Sequence, residues 1–138
     1  MALSDDLDVV ISQLRGAKVL LVEESDIDGQ KLRPLLEQHG LNVKSANTGW
    51  DAMSLLSEDY FDGVLMDCKL PLMDGLTTTR KIREFVYMRE VPIIALADKA
   101  DPGDREMIYE SGMKDLIVKP VNVDDMLSTM AKWISPSV

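Results

Sequence analysis

The chain has 138 residues, enough for one domain with one sizeable core and too few for two catalytic domains. Fifteen Lys and Arg against 24 Asp and Glu leave a formal charge of −9, which argues against direct nucleic-acid binding, because such a surface needs clustered positive charge. The single cysteine, Cys68, excludes an internal disulfide framework and a cysteine-based zinc site, and no apolar run approaches the roughly 20 residues of a membrane span.

In chain order, residues 1–16 form a lead in which Leu7, Val10, Ile11 and Leu14 share a helical face that Gly16 ends. A helix of that length is marginal alone, so the lead is read as a linker from a longer protein, with docking on the domain or pairing with a partner as alternatives. Val19 to Val22 is the first of five short apolar runs. Ser25-x-x-Asp28 resembles a capping box, but Pro34, one turn past Gly29, predicts a kinked or late-starting helix. His39, before Gly40, suits the negative end of that helix.

Val43 to Ala46, with Lys44 and Ser45 inside it, reads as an edge strand, and Thr48-x-x-Asp51 caps the helix that follows. The run Val64-Leu65-Met66 ends in Asp67; Pro71 and Gly75 shape the loop after it, and Asp74 is read as a helix cap. Ile93 to Leu96 is followed by Asp101-Pro102, a cap before proline at the first helical position. Leu116 to Val118 leads into Lys119-Pro120. Asn122 precedes a closing helix whose Val123, Met126, Leu127, Met130, Trp133 and Ile134 make one apolar stripe, read as core. Four of the five runs are continuous rather than alternating, as in parallel strands covered on both faces, and the intervening helices give the rhythm of an open parallel sheet.

In such a sheet ligands sit beyond the carboxyl ends of the strands, where the strand order reverses. Those ends carry Glu23 and Glu24, Asp67, and Lys119. If the first and third strands are neighbours, three carboxylates and one ammonium meet in one crevice. Their repulsion is relieved by raised pKa values, a cationic partner or a divalent metal, for which all-oxygen ligands favour Mg²⁺ or Mn²⁺.

The segment Leu65-Met66-Asp67-Cys68-Lys69-Leu70-Pro71-Leu72-Met73-Asp74-Gly75 resembles the phospho-acceptor signature of response-regulator receiver domains. The likeness runs from about Ala17 to Ile134 through Asn47-Thr48-Gly49, Pro92 to Leu96, Gly112-Met113-Lys114-Asp115 and Lys119-Pro120. Leu14-Arg15-Gly16 and Trp133-Ile134 make it most similar to receivers attached to hybrid sensor histidine kinases. The resemblance implies a flavodoxin-like, doubly wound α/β fold, with five parallel strands in order 2-1-3-4-5 and five flanking helices. Residues 17–135 would be the receiver and 136–138 a tail. It also implies a phosphoryl relay in two-component signalling. Asp67 would take phosphate from a histidine kinase or histidine phosphotransfer domain. Glu24 would ligate Mg²⁺ with Asp67 and the backbone carbonyl of Lys69, Glu23 would act through a metal-bound water, and Lys119 would pair first with Asp67 and then with a phosphoryl oxygen. Lys119-Pro120 resembles the family's cis peptide.

Three features depart from the family pattern. Glu stands at both acidic positions, so Glu24 reaches a cation only through a different rotamer or a shifted ion. Ala97 replaces the Ser or Thr whose hydroxyl turns toward the phosphoryl group, and Leu116 replaces the aromatic that moves with it. Lys69 and Lys99 stand at positions that in the family flank the path of the attacking water, either as solvated charges or as modulators of phosphoryl lifetime. Cys68 is read as a small buried hydrophobe rather than a redox thiol.

The expected function is therefore a signalling domain that catalyses only its own phosphorylation and dephosphorylation. The alternative is a pseudo-receiver acting as an unphosphorylated interaction module. A phosphatase with an aspartyl nucleophile ranks last, because its general acid would stand where Lys69 does. A start, Met1 to Asp6, without the basic region of a signal peptide leads us to expect a cytoplasmic chain with no membrane contact of its own, alone or within a membrane-anchored sensor kinase.

Overall fold

A computed structural model describes residues 3–24, 31–85 and 90–137. In chain order the elements are α1 (Leu3–Ser12), β1 (Lys18–Val22), α2 (Leu32–Gln38), β2 (Asn42–Ala46), α3 (Gly49–Glu58), β3 (Gly63–Asp67), α4 (Gly75–Arg83), β4 (Ile93–Ala97), α5 (Pro102–Ser111), β5 (Asp115–Val118) and α6 (Val123–Trp133). All strand pairs are parallel and the sheet order is β2-β1-β3-β4-β5, as expected. Among the described residues there are six helices, the five expected to flank the sheet and one formed by the lead.

Every residue of β3 and β4 is buried, which explains their unbroken apolar runs, whereas the edge strand β2 exposes Asn42, Lys44 and Ser45. Alternate strand residues feed two cores. Val19, Leu21, Val43, Leu65, Ile94, Leu96 and Ile117 pack under α2 and α6 with Leu32, Leu36, Met126, Leu127 and Met130. Leu20, Val22, Val64, Met66, Ile93 and Ala95 pack on the other face against Ala52, Leu56, Ile82 and Ile108 of α3, α4 and α5.

Most helix starts follow the predicted caps. Thr48, Asp74 and Asn122 each accept a hydrogen bond from the backbone N–H three residues on. Asp101 stands at the N-cap of α5 and Pro102 opens the helix, but no side-chain cap bond forms there. The Ser25-x-x-Asp28 box and Gly29 lie outside the described residues. Pro34 is resolved as a late start: α2 begins at Leu32, so the proline falls in the first turn, where a backbone N–H has no intrahelical acceptor. Its N-cap, Lys31, makes no side-chain cap bond, and α2 has only 7 residues. His39 is its C-cap, with Nδ1 2.9 Å from the Leu35 carbonyl oxygen.

In the closing helix Met126, Leu127 and Met130 are fully buried, but Trp133 is 43% exposed and corrects the expected stripe. Its indole N–H donates to Asp115 Oδ2 at 3.0 Å, so the ring stays at the surface, and Ile134 past the helix end fills the core instead. The lead packs α1 along α6, with Ile11 and Leu14 buried, and Gly16 turns the chain into β1 at φ +88°. Among the described residues no helix is long and apolar enough to cross a membrane.

At the amino ends of the strands, Lys18 and Lys44 both donate to Asp59 Oδ2 and hold its carboxyl well below the usual carboxylate range. A depressed folded-state pKa contributes stability above the unfolded value near 4, and that contribution is lost as pH falls. We expect Asp59→Asn to shrink the fall in melting temperature between about pH 5 and pH 2; an unchanged fall would assign acid lability to other carboxylates.

Candidate functional site

Because β1 and β3 are neighbours and β3 also pairs with β4, the carboxyl ends of the central strands open side by side. Asp67, the last residue of β3, is paired with Leu96 of β4 and is 5% exposed. Its side chain is not left as a bare buried charge. Lys119 Nζ donates to Oδ2 at 2.8 Å and the Lys69 backbone N–H donates to Oδ1 at 2.9 Å.

Lys119 reaches this point because its backbone N–H bonds to the Ala97 carbonyl at 2.8 Å, which continues the β4–β5 ladder past Val118. The following peptide, Lys119-Pro120, is cis. Gly75 lies against the back of the acceptor. A Cβ there would stand 2.1 Å from the Asp67 carbonyl oxygen, and its N–H bonds to the Cys68 carbonyl at 3.0 Å. Its need for glycine is close approach of two backbones rather than the turn geometry expected from sequence.

Asp67, Glu24, Lys69, Asp98 and Lys119 line one open cavity of about 360 Å³, walled by Leu70 and Pro71. Glu23 faces a neighbouring one of about 430 Å³ with Lys31, Arg33 and Asn47, and Glu24 borders both. Among the described residues no three carboxylate, imidazole or thiol side chains converge closely enough to hold a metal by themselves.

Ala97 is 4% exposed and Leu116 8%, so both degenerate positions are fixed in the core. Lys99 is exposed and lines a third cavity of about 330 Å³ with Cys68, Leu76, Ala97, Met107 and Ile108. Burial pushes the Cys68 thiol up to about 11, with the Asp67 charge adding to the effect, so it stays protonated and unreactive at neutral pH.

The residue that sequence reading missed is Asp98. It follows Ala97 directly, bonds Lys69 Nζ through Oδ2, and places Oδ1 3.8 Å from Lys119 Nζ. Lys69, then Lys119, holds its carboxyl below the ordinary value, and Asp98 in turn raises the Lys69 ammonium. The signal was available, since an acid directly after a strand end meets the same rule that singled out Glu23, Glu24 and Asp67.

A family model described as the response regulator receiver domain matches residues 19–131. The polar-differentiation response regulator DivK of Brucella ovis is 30% identical over 116 residues, which cover 84% of this chain and 94% of that protein. The receiver domain of a sensor histidine kinase from Pseudomonas aeruginosa, crystallised with a magnesium ion coordinated in its active site cleft, superposes with a TM-score of 0.78. It is 35% identical, and the match covers 86% of this chain and 97% of that one. The receiver domain of the response regulator Ssk1 of Saccharomyces cerevisiae, crystallised with the histidine phosphotransfer protein Ypd1, gives a TM-score of 0.79 at 26% identity, over 87% and 90% of the two chains. The family match spans most of the sheet and every strand end that meets at Asp67, and the chain belongs to the response regulator receiver domains of two-component signalling.

Proposed function

We propose that the chain accepts a phosphoryl group on Asp67 from the phosphohistidine of a histidine kinase or histidine phosphotransfer domain, in a Mg²⁺-dependent step. The observation that carries the reading is the buried Asp67 carboxylate at the mouth of a cavity, paired with Lys119 at 2.8 Å. Each carboxylate oxygen accepts one bond and keeps another lone pair for attack. An Asp67 oxygen forms the new O–P bond as the N–P bond of the donor breaks. The electron pair returns to the ring nitrogen, and a ring protonated at its other nitrogen leaves as neutral imidazole. Lys119 Nζ, already at the carboxylate, is placed to meet negative charge on the transferred oxygens. Attack of water on phosphorus then returns the carboxylate and releases inorganic phosphate, so the chain processes only its own modification.

The donors facing the cavity suit a hard cation. Glu24 and Asp67 offer carboxylate oxygens and Lys69 a backbone carbonyl, and Mg²⁺ characteristically takes one or two carboxylates and keeps several waters. Glu23, bordering the next cavity, fits a role through water. Bound Mg²⁺ would neutralise charge on the equatorial phosphoryl oxygens. Millimolar Mg²⁺ is expected to raise the melting temperature of wild type by mass action, about 1.4 kcal/mol at roughly ten times Kd, and to raise that of Glu24→Gln less. Equal rises would remove Glu24 from the ligand set.

Residues 17–135 are taken as the receiver unit, with 1–16 as a lead and 136–138 as a tail, in a cytoplasmic setting alone or within a sensor kinase. Ala97 and Leu116, both fixed in the core, favour a second reading as an unphosphorylated interaction module. Intact mass after incubation with Mg²⁺ and either acetyl phosphate or a phosphorylated histidine phosphotransfer protein separates the two. A phosphoryl increment in wild type and none in Asp67→Ala is the expected result. No increment with either donor would leave the interaction module.

A further inference from the structure

Four charged side chains alternate around the acceptor. Asp67 meets Lys119 at 2.8 Å, Lys119 lies 3.8 Å from Asp98, and Asp98 bonds Lys69. Two carboxylates and two ammoniums thus alternate, and Glu24 adds a third carboxylate to the same cavity. Lys69 and Asp98 line both the acceptor cavity and the one beside Ala97, so their ion pair forms the wall between the two. Phosphorylation would replace the single charge of Asp67 with up to about two on the phosphoryl oxygens, and those oxygens need the same ammonium groups. Asp98 already occupies the place such an anion would take.

We infer that Asp98 is a resident counter-charge which the phosphoryl group must evict from Lys119 and Lys69, and that this eviction supplies the lever lost with the hydroxyl at Ala97. The inference rests on the reading of Asp67 as acceptor and adds a positioning residue to it. Asp98 is well sited to pass the change on, because it sits at the carboxyl end of β4 and opens the short segment to α5. That segment is tied down by Arg105, whose side-chain Nε donates to the Ala100 carbonyl at 2.9 Å and whose N–H donates to Asp101. Repulsion between Asp98 and the phosphoryl group would pull on this segment without any hydroxyl.

The test compares wild type, Asp98→Asn and Asp98→Glu, each equilibrated with Mg²⁺ and a phosphorylated histidine phosphotransfer protein, with the phosphorylated fraction read by intact mass. Removing one like charge is expected to raise the ratio of phosphorylated to free protein about tenfold in Asp98→Asn, equivalent to about 1.4 kcal/mol, and Asp98→Glu is expected to restore the wild-type ratio. Amide exchange supplies a readout that a merely structural role would not move. Phosphorylation should speed exchange between Asp98 and Arg105 in wild type and leave it unchanged in Asp98→Asn. Equal ratios in all three proteins, or the same loop response in wild type and Asp98→Asn, would overturn the inference and leave Asp67 as acceptor. No phosphoryl group on any of the three would instead overturn the acceptor reading, and the inference with it.

Discussion

Leu14→Ala is expected to lower the unfolding free energy by about 2 to 5 kcal/mol, the range for truncating a leucine in a closed core, and Val9→Ala to change it by less than about 0.5 kcal/mol. The contrast follows from where the two side chains of the lead point. Leu14, just past α1, is fully buried in the cluster that contains Val19, Leu21, Met130 and Ile134, and Val9 within α1 is 60% exposed. Chemical denaturation of both variants checks it. Similar small losses in the two would mean that the lead is a free linker in solution; a large loss for Leu14 alone makes it part of the receiver's own core. The stake is functional as well as structural, because α1 covers α6, and whatever precedes it in a longer protein would then be coupled rigidly to the domain.

That helix also shows what a sequence can and cannot carry. Of its expected apolar face, legible from a 3.6-residue period, Leu7, Ile11 and Leu14 meet the core, whereas Val10 is 37% exposed and corrects that expectation. Its docking partner was not legible, since α6 lies more than a hundred residues away and periodicity contains no long-range information. The strands were more fully legible. Strands covered on both faces are apolar along their length, and β1 after Lys18, β3 as far as Asp67 and all of β4 follow that rule, while the order of the strands came from the family resemblance.

The meeting of Asp67 with Lys119 was likewise written into the strand ends. Asp98 was less legible, because an exposed acid in a loop has many solvated readings until its two lysine partners are seen. Trp133 erred in the other direction. The stripe on α6 is real through Met130, but at the last turn the indole finds Asp115 at the surface, and a period cannot say where a helix runs off its core.

Gly75→Ala should be the most damaging single methyl near the acceptor. An alanine inside an exposed helix normally stabilises it by about 1 kcal/mol relative to glycine, and Gly103→Ala in the first turn of α5 should behave that way, because nothing lies within 4 Å of the added carbon. At Gly75 the same carbon would stand 2.1 Å from the Asp67 carbonyl oxygen and 3.1 Å from Cys68 Cα. Both neighbours are backbone at the end of a strand buried on both faces, so neither can rotate away. Relief requires α4 to withdraw from β3, which strains the Asp74 cap and the hydrogen bond from the Gly75 N–H to the Cys68 carbonyl. The expected cost is about 1 to 3 kcal/mol of stability, opposite in sign to Gly103→Ala. The chemical cost is larger in proportion. Asp67 is positioned by its backbone, and a displacement of about 1 Å is enough to reduce transfer about 10²-fold when in-line geometry is the main demand. Thermal unfolding of the two alanine variants, with phosphoryl uptake measured on each, checks both parts. A Gly75→Ala protein as stable and as readily phosphorylated as wild type would show that β3 and α4 can separate without cost, and that the acceptor is not held by their contact.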